Sequence, residues 1–219
     1  MSAESALDRL DLRFRRLASA ARLVDVTYDL AESPLGVLLV AATERGLCRV
    51  SFQGEEALDE LASTFGRRVL RLPGGLDQAR RQLDEYFAGR RQAFHLALDV
   101  AVRSSFQARV LAALARVPYG ELTTYGRLAS SLGRPSAARA VGAALHRNPL
   151  PVVLPCHRVV GADGRLVGYA GGLERKRRLL ELEGALRLQE RARPGVAGKR
   201  RGPDPRHPEA RAVDLDRGT

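Results

Sequence analysis

Cys156 and His157, followed at once by Arg158, are the residues of this 219-residue chain whose types could do covalent chemistry together. A thiol becomes a nucleophile as its thiolate, and a base or positive charge beside it raises that fraction. The preceding run Pro151-Val152-Val153-Leu154-Pro155 is apolar and stiffened by two prolines, which would hold the thiol in one orientation. In an extended strand, neighbouring side chains face opposite ways. His157 would therefore reach the sulfur only through a bend, which Pro155 favours, or through a water. By residue type alone, a lone cysteine beside an apolar run is more often an inert core residue. The chain holds two cysteines, Cys48 and Cys156, and four scattered histidines, His95, His146, His157 and His207, without a CxxC pair. That pattern supports neither a disulfide framework nor a zinc cluster, and two unpaired thiols fit a reducing compartment. Cys48, inside Gly46-Leu47-Cys48-Arg49-Val50, reads as core.

The elements that must position these residues fall into two units of an α+β chain. Residues 1–21 form a charged leader of helical character. From residue 22 to about 100, RLVDVTYDL, GVLLVAAT and GLCRVSFQ are β-prone runs separated by turn-rich segments, which predicts an antiparallel meander. Helical spacing follows over Glu55–Phe65 and Gly75–Phe87, and AFHLALDV reads as a further strand. The second unit, 104–186, opens with Ser104 and Gln107 as a capping box before FQARVLAALARV, which ends at Val117-Pro118-Tyr119-Gly120. Two short helices, about 124–132 and 136–146, flank Gly133-Arg134-Pro135 in the manner of a helix-turn-helix. VVGADGRLVG suggests a hairpin about Asp163-Gly164, and a last helix is expected from Leu173 to about Leu188. Residues 187–219, rich in Arg, Pro and Gly, read as a basic disordered tail.

Asn148-Pro149-Leu150-Pro151-Val152-Val153-Leu154-Pro155-Cys156-His157-Arg158-Val159-Val160 closely resembles the active-site segment of the O6-alkylguanine-DNA alkyltransferases, the methylated-DNA–protein-cysteine methyltransferases. The resemblance continues through Ser104-Ser105-Phe106-Gln107, Val117-Pro118-Tyr119-Gly120-Glu121, Tyr125, Ala138-Arg139-Ala140-Val141-Gly142, Gly168-Tyr169, Gly171-Gly172-Leu173 and Glu183-Gly184. It spans the second unit in order and spacing. It implies a small N-terminal sheet-and-helix domain followed by a mainly helical, winged helix-turn-helix-like catalytic domain. It also implies a single-turnover repair protein: Cys156 takes the alkyl group from O6 of guanine and keeps it, with weaker action on O4-alkylthymine. His157 would be the base acting through a water, Glu183 its support, Asn148 the residue ordering the loop, and Tyr125 the donor to the purine. Carbonyls of Cys156 and Val159 would accept from the guanine amine. Pro151, Arg158, Val159, Tyr169 and Ala170 would wall the pocket. Ala170 departs from the pattern, since many members carry a hydroxyl residue there.

The target atom lies inside a stacked duplex, so the base must be rotated out to meet a buried thiol. The resemblance implies minor-groove contacts from Thr124, Tyr125, Ala138 and Arg139, with Arg139 filling the gap left by the base. Unaided, SAARAVGAAL would read as a small-residue helix packing on its partner, and Glu183 as a solvated acid. A net charge of +11 fits a polyanionic partner, double-stranded DNA containing alkylated bases, although part of that charge lies in the tail. No apolar run is long enough to cross a bilayer and the first residues lack the apolar core of a signal peptide, so a cytoplasmic, soluble monomer without cofactor or metal is expected. Two other classes compete. An alkyltransferase-like lesion binder would lack the cysteine, and a helix-turn-helix transcription factor would leave the pocket residues unexplained.

Overall fold

The computed structural model describes residues 3–186. The tail expected to be disordered, 187–219, lies outside these residues. A helix, α1, covers Ala3–Ala20 and meets the sheet domain through Arg15, whose guanidinium donates to the Arg71 carbonyl at 3.0 Å. Leu10, Phe14 and Leu17 on it remain exposed. Among the described residues no helix is long and apolar enough to cross a membrane.

The sheet is built from β1 (Val26–Ala31), β2 (Leu38–Thr43), β3 (Gly46–Ser51) and β4 (Val69–Arg71). The strand order is β3-β2-β1-β4, with β1, β2 and β3 antiparallel as the meander predicts. The short β4, which the sequence reading missed, pairs parallel to β1. Alternation along β2 divides the core. Leu38 and Val40 face the large cluster shared with the second domain, whereas Leu39 and Ala41 face a smaller one with Val26, Tyr28, Cys48 and Leu61. A 3-10 turn at Gly54–Ala57 leads into α2 (Leu58–Phe65), and α3 spans Asp77–Phe87. The segment AFHLALDV is not a full strand. Gln82 takes both backbone groups of His95 (N–H to Oε1 at 2.8 Å, carbonyl from Nε2 at 2.9 Å). Only Leu98 makes a β-bridge, to Leu47 at the β3 edge.

The second domain begins at α4 (Ser105–Leu114), where the Ser104 hydroxyl accepts from the Gln107 N–H at 3.1 Å. The capping box is displaced: Gln107 Oε1 accepts from the N–H of Arg103, one residue before the cap, and its amide donates to the Arg147 carbonyl. α5 (Tyr125–Ser131) and α6 (Ala138–His146) stand where the helix-turn-helix was expected, joined through Gly133 and a 3-10 turn at Pro135–Ala137. No hairpin forms at Asp163-Gly164. Instead β6 (Val159–Val160) pairs in parallel with β5 (Thr123–Thr124). Two backbone bonds close the loop, Gly161 N–H to the Arg165 carbonyl and Gly164 N–H to the Gly161 carbonyl. The carbonyls of Val159, Val167 and Gly168 all accept from the ammonium of Lys176, which gathers this segment around a buried charge in place of a returning ladder. α7 covers Leu173–Leu182, a turn follows at Glu183-Gly184, and residues 185–186 are again helical; the expected end near 188 lies outside the described residues.

Candidate active site

A 3-10 turn, Cys156–Arg158, replaces the strand that would have turned Cys156 and His157 to opposite faces. Pro155 precedes it, and all three residues are buried. The loop before them is tied by Asn148. Its Oδ1 accepts from the Leu150 N–H at 3.0 Å, and its amide donates to the Leu154 carbonyl at 2.8 Å and to Cys156 Sγ at 3.2 Å. Inside this loop Val152 has φ +75°, a left-handed conformation that a β-branched residue rarely adopts. Such strain costs about 1–3 kcal/mol and persists where surrounding contacts over-determine it.

Cys156 lies on the wall of a cavity of about 300 Å3 lined also by Tyr125, Leu145, His146, Tyr169 and Ala170. Burial pushes the thiol up to about 11, against the opposing effects of the Asn148 hydrogen bond and the Lys176 charge. At neutral pH the resting sulfur is a thiol, and reaction requires a base. Cys48, buried in the other cluster, is pushed up to about 12, again by burial.

Glu183 organises the far side. Its Oε1 accepts from His157 Nε2 (2.9 Å), Arg158 Nη2 (2.9 Å) and the Tyr86 hydroxyl (2.7 Å). Its Oε2 accepts from Arg158 Nε (2.9 Å) and the Gly120 N–H (3.2 Å). Gly120 sits at φ +77°, and a Cβ there would meet the Glu183 carbonyl oxygen at 3.0 Å, so the close approach needs glycine. Burial alone would raise the Glu183 carboxyl, but the His157 and Arg158 hydrogen bonds outweigh it and hold the group at about 2. Burial lowers His157 below the ordinary imidazole range. A neutral ring facing an ionised carboxylate carries its proton on Nε2, leaving Nδ1 as a lone-pair acceptor. Nδ1 is buried and has no hydrogen-bond partner in the protein.

Both shifts act in the same direction on stability. The unfolded chain takes up protons on these groups at a higher pH than the fold does, so stability falls as pH drops. The His157 share is lost below about 6.5 and the Glu183 share from about 4.5 towards 2. The urea midpoint is expected to fall steadily from pH 7 to pH 3. Glu183→Gln should flatten the part below pH 5; a wild-type midpoint constant over this range would contradict the assignment.

The structure thus brings Cys156, His157, Asn148 and Glu183 together and sets Tyr125, Tyr169 and Ala170 around the thiol's cavity. Tyr125 donates to the carbonyls of Val167 (3.2 Å) and Gly168 (3.4 Å). Tyr169 has a buried hydroxyl without a partner. Arg158 is not a pocket wall: its guanidinium turns away to Glu183 and to the Val117 carbonyl (2.5 Å), because a buried cation needs a carboxylate. Pro151 lines the neighbouring cavity rather than that of Cys156. The Val159 carbonyl is already bonded to Lys176 Nζ at 2.6 Å. Thr124 caps α5, its hydroxyl accepting from the Arg127 N–H, while Ala138 and Arg139 open α6 with Arg139 exposed.

Three participants escaped the sequence reading. Tyr86 comes from the other domain and looks like any core aromatic of α3. Gly120 reads in the sequence as the end of a helix and as part of the resembling segment, with no contact to Glu183 assigned to it. Lys176, fully buried, binds the three carbonyls of the pocket loop, and burial lowers its ammonium to about 8. One signal was present for it: its position in GLERKRRLLEL is that of core-facing Leu179 and Leu180.

Two family models match, the ribonuclease-like domain of 6-O-methylguanine DNA methyltransferase over residues 26–100 and its DNA-binding domain over residues 105–185. The methylated-DNA–protein-cysteine methyltransferase of Mycobacterium tuberculosis is 51% identical over 158 residues, 72% of this chain and 92% of that protein. The protein of the same name from Methanosarcina barkeri is 43% identical over 157 residues, 71% of this chain and 96% of its own. Among solved structures, Mycobacterium tuberculosis OGT in complex with DNA superposes with a TM-score of 0.65 at 41% identity, over 73% of this chain and 93% of that one. The two matched domains, the order of elements and the extent of identity agree, and the chain belongs to the O6-alkylguanine-DNA alkyltransferase (methylated-DNA–protein-cysteine methyltransferase) family.

Proposed function

We propose that the protein repairs O6-alkylguanine in DNA by moving the alkyl group onto Cys156, once per molecule. The observation that carries this reading is a cavity-lining thiol followed directly by a buried His157–Glu183 pair with a free imidazole lone pair. His157 Nδ1 draws the thiol proton through one water, and Glu183 stabilises the imidazolium as it forms. Sγ attacks the alkyl carbon in line. The C–S bond forms as the C–O6 bond breaks, the electron pair passes to the purine, and the proton taken from the thiol is returned to the guanine ring. Tyr125, at the cavity wall, donates to the purine as charge develops, and the Ala170 N–H faces O6. The product thioether has no second thiol beside it to accept the alkyl group, so the protein is consumed.

The partner in this reading is duplex DNA, bound by a monomer in the reducing cytoplasm. α6 presents small residues with Arg139 projecting, a shape suited to a narrow groove from which one base has been rotated out. The Lys176 ammonium holds the Val159 carbonyl in place to accept the guanine amine with its second lone pair. Intact-mass measurement after incubation with an O6-methylguanine duplex should find one methyl group per molecule, on the peptide holding Cys156; an unmodified protein would overturn the reading. Arg139→Ala should slow transfer from duplex DNA by about tenfold or more, equivalent to roughly 1.4 kcal/mol, with little effect on a free-base substrate. Equal losses on both substrates would remove Arg139 from base extrusion.

A further inference from the structure

A second cavity adjoins the one that holds the thiol. It is a groove of about 510 Å3 between the domains, formed by β3, α2, residues 101–103 and the loop from His146 to Pro151. His146 and Ala170 line both this groove and the cavity of Cys156, so the two spaces adjoin at these residues. Ala170 contributes only a methyl group at that boundary, and a substituent too long for the first space meets no large side chain from it.

The groove is cationic. Arg49 and Arg103 both pair with one carboxylate, Glu60, and the Arg103 contact is long at 3.9 Å. Arg147 lines the groove as well and has no ion-pair partner among the described residues. One acid thus faces three guanidinium groups. The mechanism above uses none of them.

We infer that the protein accepts O6-guanine adducts larger than methyl whose substituent ends in an anion, the benzylic or alkyl part crossing beside Ala170 and the anionic end lodging near Arg103 and Arg147. The inference rests on Cys156 being the alkyl acceptor. The bond changes are those of methyl transfer: C–S forms at the carbon next to O6, C–O6 breaks, and the thiol proton ends on guanine. The distal anion takes no part in the step and acts only by attraction to the groove, which salt weakens.

The test uses the full chain with three duplexes that carry O6-methylguanine, O6-(4-carboxybenzyl)guanine or O6-(4-aminomethylbenzyl)guanine. The two benzyl groups are near in size and opposite in charge. Single-turnover transfer is followed by intact mass at low and high salt. The carboxybenzyl group should move about tenfold faster than the aminomethylbenzyl group at low salt, with the gap narrowing at high salt. In Arg103→Gln/Arg147→Gln the gap should largely close while methyl transfer is unchanged, since both side chains lie outside the reacting site. Equal rates for the two benzyl groups, no benzyl transfer beside normal methyl transfer, or a preference that survives in the double variant would overturn the inference. Absence of methyl transfer would instead overturn the repair reading beneath it.

Discussion

Cys156→Ala is expected to carry no methyl group after incubation with an O6-methylguanine duplex, while binding that duplex much as the wild type does. The loss should be complete because no other thiol can substitute. Cys48 sits in the second core cluster, 1% exposed and pushed up to about 12 by burial, and does not line the cavity of Cys156. The fold should survive. Removing one sulfur from a cavity wall costs about 1 kcal/mol, and the Asn148 amide keeps its 2.8 Å bond to the Leu154 carbonyl. Of the groups assigned to DNA, Thr124 caps α5 and Ala138 and Arg139 open α6, none of them on the cavity of Cys156; Tyr125 lines that cavity and keeps its bonds to the Val167 and Gly168 carbonyls. Intact mass measures transfer and fluorescence anisotropy measures binding on the same preparation. An adduct in the variant would place the acceptor elsewhere, and lost binding with an intact fold would make the thiol part of DNA recognition.

What could be read from the chain follows from how local each signal was. The cap at Ser104, the Gly133 turn and the three β-prone runs of the meander depend on neighbours within a few residues, and the structure has them. The hairpin at Asp163-Gly164 failed where a non-local group intervenes: Lys176, on the last helix, draws the Val159 and Val167 carbonyls to its buried ammonium. AFHLALDV failed similarly, because Gln82 on α3 satisfies the His95 backbone. Within the site, the motif around Cys156 identified the thiol, the imidazole and Asn148. It could not say that Arg158 faces away from the pocket, because adjacent residues in a 3-10 turn diverge by an amount that spacing does not reveal. Nor could it reach Tyr86, which lies 97 positions from Glu183 in sequence and contributes one hydroxyl. Lone polar atoms that enter a site from another domain leave no periodic trace.

That same network makes Glu183→Gln the second most damaging substitution. The amide has nearly the shape of the carboxylate but not its charge, and its NH2 must face a donor. Every group around Glu183 donates to it, and of them only the Tyr86 hydroxyl could also accept: His157 Nε2, Arg158 Nε and Nη2, the Tyr86 hydroxyl and the Gly120 N–H. Arg158 would keep the Val117 carbonyl but be a buried cation with no counter-charge, a change that costs about 3–5 kcal/mol. For a domain of this size that corresponds to a fall in Tm of roughly 10 °C or more. Transfer should also slow, by roughly 100- to 10,000-fold, since a base without its anion stabilises the forming imidazolium poorly. The two effects are separable. Arg158→Met combined with Glu183→Gln removes the stranded charge and should recover much of the stability without recovering the rate. Tyr86→Phe removes one hydrogen bond and no charge, and should cost only about 1 kcal/mol. If the double variant regained the rate along with the stability, Glu183 would be holding the fold together and His157 would not depend on it as a base.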